Sequence, residues 1–131
     1  MTVKSLCILR WAIYNWMERK DPFKDYSCEL EYRVFRLLYP VIHGDLIWHK
    51  CPFCGKEYTR ASGLETHIMR YHRLEWISKV NDVVKVTEEM LKEIGNPLED
   101  EEIKLNDIAI DKRIKEWLIK KGYIEQEEEL G

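Results

Sequence analysis

The chain has 131 residues, 45% apolar, 11% aromatic and 34% charged. That supplies a core for one compact domain or two small ones sharing an interface. The net charge of −3 is unevenly spread: residues 1–47 hold 7 basic and 6 acidic side chains, residues 48–73 hold 5 and 2, and residues 74–131 hold 9 and 16. Positive charge is therefore concentrated in the middle, and the C-terminal part is acidic, either as a plain solvated surface or as a surface that repels phosphate and leaves the middle as the docking face.

The first predicted element is a helix from Val3 to Met17, with Leu6, Leu9, Ile13 and Trp16 at helical spacing and Trp11 and Tyr14 widening the stripe. Arg10 interrupts this apolar run and no small-residue cleavage site follows, so neither a signal peptide nor a membrane span is expected. The default location is intracellular, where four Cys are expected to bind metal or pack in a core. Asp21-Pro22 breaks the helix. Ser27 can then cap a second one, with Leu30, Val34, Leu37 and Leu38 on one face until Pro40 stops it. A helix apolar on most sides must be covered on most sides. The cover is either a second copy of the chain, giving a homodimer through these two helices, or the rest of the same chain.

After Gly44-Asp45, Leu46 to Lys50 reads as a strand, Cys51 to Gly55 as a tight turn, Lys56 to Thr59 as a returning strand and Ala61 to His72 as a helix. Further on, Thr87-Glu88-Glu89 reads as a helix start and Gly95-Asn96-Pro97 as its end. A last helix, Asp111 to Lys121, carries Ile114, Trp117 and Leu118 on one face and stops at Gly122. The overall expectation is an α+β protein, mostly α, in three segments: 1–45 helical, 46–73 a ββα unit, 74–131 acidic and helical.

Cys51 and Cys54 are three apart, twelve residues separate Cys54 from His67, and His72 lies five beyond His67. Two thiolates in one hairpin turn and two imidazoles on one helix suit the tetrahedral preference of Zn²⁺. Gly55 can take the left-handed conformation that lets backbone N–H groups point at the sulfurs. With Tyr58 four after Cys54 and Leu64 three before His67, six residues closely resemble the framework of the Cys2His2 zinc-finger family. The resemblance spans about 25 of the 131 residues and implies a ββα finger holding one Zn²⁺ through Cys51, Cys54, His67 and His72. It departs from the family at His49, which stands where an aromatic is usual, with Trp48 beside it. No inter-finger linker follows His72 either, where Arg73-Leu74-Glu75-Trp76-Ile77 stands instead. This is a solitary finger fused to other structure.

The same resemblance places Arg60, Ser62, Gly63 and Thr66 at the family's base-facing positions. Arg60 can pair bidentately with guanine, and Thr66 can reach a base or a phosphate, while Gly63 offers no side chain. Lys50, Lys56, Arg70 and Arg73, and the free ring nitrogen of a ligating His, can supply phosphate contacts. One finger covers only about 3 bp, so the remaining chain must contribute to any defined site. Leu105 to Ala109, the helix after Asp111 and Gly122 to Glu125 loosely resemble the second half of a winged helix-turn-helix, the alternative being an ordinary helical subdomain. Cys7, Cys28, His43 and His49 match no second zinc knuckle; Cys7 and Cys28 read as small buried hydrophobes, the alternative being a disulfide between them, expected only in a thermophile.

The leading expectation is a DNA-binding regulator of transcription with the finger helix in the major groove of double-stranded DNA. A zinc-stapled protein-interaction module and an RNA-binding finger are the alternatives. An enzyme is not expected, because four protein ligands leave no open position on the metal and no nucleophile and base are paired elsewhere. Neither a small-molecule substrate nor a membrane is expected as a partner.

Overall fold

The computed structural model describes residues 3–14 and 27–126. The Asp21-Pro22 break, the first helix beyond Tyr14 and the acidic end from Glu127 lie outside them. The described residues form six α-helices: α1 (Val3–Tyr14), α2 (Glu29–Leu38), α3 (Pro40–Ile47), α4 (Ala61–Tyr71), α5 (Arg73–Ile94) and α6 (Asp107–Lys121), with a 3-10 turn at Pro97–Glu99. The chain divides into two compact units, Met1–Thr87 and Glu88–Gly131. No helix among the described residues is long and apolar enough to cross a membrane.

The α+β class is overturned. Among the described residues there is no strand and no sheet, only an isolated antiparallel bridge between Lys50 and Glu57. Two local causes account for it. The second helix ends at Leu38, just before Pro40 as expected, but Pro40 also starts a new helix, since a proline at the first helical position has no N–H to leave unsatisfied there. The resulting α3 absorbs Leu46 and Ile47, which were expected in the first strand. His49 then adopts a left-handed backbone (φ 62°), which breaks the extended run. The expected ββα unit is therefore a short hairpin plus a helix. Tyr58 N–H donates to the His49 carbonyl at 2.9 Å and Cys51 N–H to the Lys56 carbonyl at 2.8 Å.

In the first unit α1 is covered almost all round, with Ile8, Leu9, Trp11, Ala12 and Ile13 buried. Its cover comes from its own chain. Tyr32 packs against Trp11 at 5.1 Å between ring centroids, and Phe35 meets Trp76 edge-on at 5.2 Å. The buried Trp76 donates its indole N–H to the Ser5 carbonyl at 2.8 Å, which fixes α5 to α1. Ser27 lies one residue before the N-cap position of α2. Cys28 stands at that position and is joined by a disulfide to Cys7, their Cα atoms 6.2 Å apart. Cys7 and Cys28 are thus bonded rather than free small hydrophobes, because the α1–α2 packing brings two distant positions to bridging distance.

Helix α5 begins directly after His72 and runs through Thr87, which was expected to start a helix. The Thr87 hydroxyl instead donates to the Val83 carbonyl at 2.7 Å, a bond a threonine makes inside a helix as readily as it caps one. In the second unit Asn106 caps α6 by accepting from Ala109 N–H at 3.0 Å, so that helix starts four residues before Asp111. Gly122 ends it with φ 82°, and Ile110, Ile114, Trp117 and Leu118 form its buried face. Lys121 reaches Glu89 at 3.1 Å and Glu93 at 2.8 Å. No strand follows Gly122 among the described residues, so the winged-helix reading has no wing.

Candidate metal centre

Cys51 and Cys54 lie in the hairpin turn, His67 in the middle of α4 and His72 at its C-terminal cap. The hairpin brings the sulfurs close, and the buried Leu64 and Ile68 pull α4 onto the unit so that its imidazoles face them. The four ligand atoms all lie within 4.8 Å of one another, with Cys54 Sγ 3.2 Å from His67 Nε2. No other group of three or more His, Cys, Asp or Glu able to hold a metal occurs among the described residues.

The electrostatics suit a cation. The backbone N–H of Lys56, followed by the imidazoles of His67 and His72, holds the Cys54 thiol down at about 6. Burial pushes the Cys51 thiol up, against hydrogen bonds from the Phe53 and Cys54 backbone. These bonds depend on a turn with Gly55 at φ 79°, as the sequence predicts. Aromatic rings hold the ligands in place: Phe53 stacks on His72 at 5.3 Å, and Tyr58 and Tyr71 flank His67 at 5.1 and 5.3 Å.

This set of two soft sulfurs and two imidazoles fits tetrahedral Zn²⁺. Residues 49–72 match the family model described as Zinc finger, C2H2 type. The segment is a C2H2 zinc finger. It takes one Zn²⁺ on Cys51, Cys54, His67 and His72. No curated protein and no solved structure matches the chain.

The finger has one ligand support that the sequence reading missed. Glu75, in the first turn of α5, lies 3.2 Å from Nδ1 of His72, leaving Nε2 to face the metal. Burial works to lower the His72 pKa, but its hydrogen bonds with Cys54 and Glu75 outweigh that and leave it raised. A carboxylate three residues after a ligating His on a continuing helix was the available signal.

Of the residues expected to meet nucleic acid, Lys50, Lys56, Arg60, Ser62, Thr66, Arg70 and Arg73 are all exposed and Gly63 is half-buried. Arg60 is the N-terminal cap residue of α4, with extended backbone. Ser62, Gly63, Thr66 and Arg70 line a shallow hollow of about 380 Å³ on the finger helix, bordered by Tyr58 and Tyr71. Gly63 lies under the Tyr58 ring, where an added Cβ would stand 3.2 Å from its Cδ1. The opposite side of α4 is docked: Glu65 is buried and accepts from Arg10 Nε at 2.7 Å. The expected phosphate contact through a ligating His is corrected. His67 Nδ1 is buried without a partner and His72 Nδ1 is taken by Glu75, so neither ring edge is open to phosphate.

Proposed function

We propose that the chain is a zinc-dependent DNA-binding protein acting on transcription, with α4 of the finger in the major groove. The observation that carries this reading is the division of α4 into two faces. Leu64, Glu65 and Ile68 are committed to the fold, while Ser62, Thr66 and Arg70 project to solvent around one hollow and Arg60 is exposed at the helix start. Arg60 reads a guanine edge, and Lys50, Lys56, Arg70 and Arg73 neutralise phosphates. Zinc is structural here and no catalysis is proposed, because four protein ligands leave the metal no site for water. A dimer through the N-terminal helices is not part of this reading, since α1 is covered within its own chain.

Selection of bound sequences from a random duplex pool, with zinc-loaded protein, tests the proposal. Enrichment of a short motif, with affinity falling steeply as salt rises, supports it. Failure to enrich any sequence, or binding indifferent to salt, would instead favour a finger that meets protein.

A further inference from the structure

Trp48 is 83% exposed, the most exposed aromatic side chain among the described residues. Hydrophobic burial alone would draw a side chain of that size inward. Its backbone is firmly held: Trp48 N–H donates to the Gly44 carbonyl at 3.2 Å, His49 N–H to Leu46 at 3.0 Å and Lys50 N–H to Asp45 at 2.8 Å. The residue directly after it carries the only positive φ among the described non-glycine residues. A left-handed histidine costs conformational energy, and such outliers cluster where a side chain is being presented. Trp48 is thus displayed on a fixed kink.

The hairpin pairing also sets where the backbone beside Trp48 stands. Tyr58 N–H bonds to the His49 carbonyl, so the residue following Trp48 lies across the hairpin from the residue two before Arg60. Lys50, Lys56 and Arg60 are exposed on the same hairpin and helix start. An exposed aromatic plane on a hairpin that also carries the exposed Lys50 and Lys56 and leads into Arg60 suits a nucleobase on a phosphate backbone, since every base offers a π-face and the cations hold the strand.

Building on the nucleic-acid reading above, we infer that Trp48 stacks on an unpaired or unstacked base flanking the duplex contacted by α4. The finger then engages a junction between paired and unpaired strand, which enlarges a footprint that α4 alone limits to about 3 bp.

The test uses the full zinc-loaded chain and two fluorescent probes at low salt: a blunt 20-bp duplex and the same duplex with a four-nucleotide 3′ overhang. The wild type is expected to bind the overhang probe about tenfold tighter. Trp48→Ala should erase that preference and leave blunt-duplex affinity unchanged, while Trp48→Phe keeps most of it. Arg60→Ala and Lys56→Ala should weaken both probes. If the wild type binds both probes equally and Trp48→Ala changes neither, the stacking role is wrong while DNA binding stands. If the wild type binds neither probe, the DNA reading itself fails, and stacking with it; a Trp48 that serves a protein partner gives this result.

Discussion

The carboxylate of Glu75 meets His72 Nδ1 at 3.2 Å, tying a zinc ligand on the finger to the first turn of the next helix. Such outer partners fix the tautomer and orientation of a ligating imidazole and raise its basicity. Glu75→Ala is expected to weaken zinc binding about tenfold, the lower end of the usual range because the carboxylate is partly exposed. Glu75→Gln, which keeps an acceptor oxygen, should lose less. Competition against a chromophoric chelator reads both, and unchanged affinity in the alanine variant would remove Glu75 from the metal site.

Metal analysis should find one zinc per wild-type chain and none in Cys51→Ala. Without zinc the hairpin from His49 to Tyr58 keeps few backbone bonds, so it should open. Amide exchange at Leu64 to Ile68 should accelerate as α4 loses its anchor. Retained protection there would mean that packing on α1, with the Arg10–Glu65 pair, suffices to hold α4.

For DNA, Arg60→Ala should relax preference at one base position at a cost of about 1 to 3 kcal/mol. Lys56→Ala and Arg70→Ala should weaken all sequences about equally and flatten the salt dependence. Equal small losses from all three would take α4 out of the major groove.

Trp76→Phe removes the bond to the Ser5 carbonyl and part of a buried ring, for an expected loss of about 1 to 2 kcal/mol. Trp76→Ala leaves a cavity against Phe35 and should cost about 3 to 5 kcal/mol. Chemical denaturation measures both, and a loss under 1 kcal/mol in the alanine variant would contradict the anchoring role.

His43 accepts from the Tyr32 hydroxyl or donates to it across 2.9 Å, and burial, then the nearby Arg36, lowers its pKa to about 4. Well above 6.5, from about pH 8, the ring is neutral in folded and unfolded chains alike and contributes no pH dependence. Between 6.5 and 4 the unfolded chain binds the proton and the folded one does not, so stability falls as pH falls, by about 2 kcal/mol after allowance for screening at a half-buried ring. His43→Gln should lack this component. Acid effects on zinc and carboxylates are common to both proteins, so the difference between their stability curves isolates it, and parallel curves would refute it.

The metal site was legible because its residues carry their geometry in their spacing: Cys51 and Cys54 in one turn, His67 and His72 on one helix, Gly55 where a left-handed residue is needed. The helical faces of α1 and α6 were legible for the same reason. What was hidden depends on position in the fold. Pro40 both follows the end of α2 and starts α3, and only the first of these shows in the sequence; Thr87 reads as a cap or an interior residue depending on where its hydroxyl turns. Cys7 and Cys28 stand 21 residues apart, and only the packing of α1 on α2 shows that they meet. The strands failed because propensity at Leu46 and Ile47 was outweighed by a helix begun at Pro40.

Only His72 separates the finger helix from α5, and four residues later Trp76 is pinned to α1. The finger therefore has no hinge. Fingers strung on pliant connectors can swivel to follow a winding groove, whereas this one arrives with its orientation already set. Little rotational freedom remains to be lost at the connection when it docks, which favours affinity. The same stiffness denies it any accommodation, so a target whose backbone path deviates from the one α4 fits must itself deform, and the cost of bending it becomes a source of discrimination that involves no base contact.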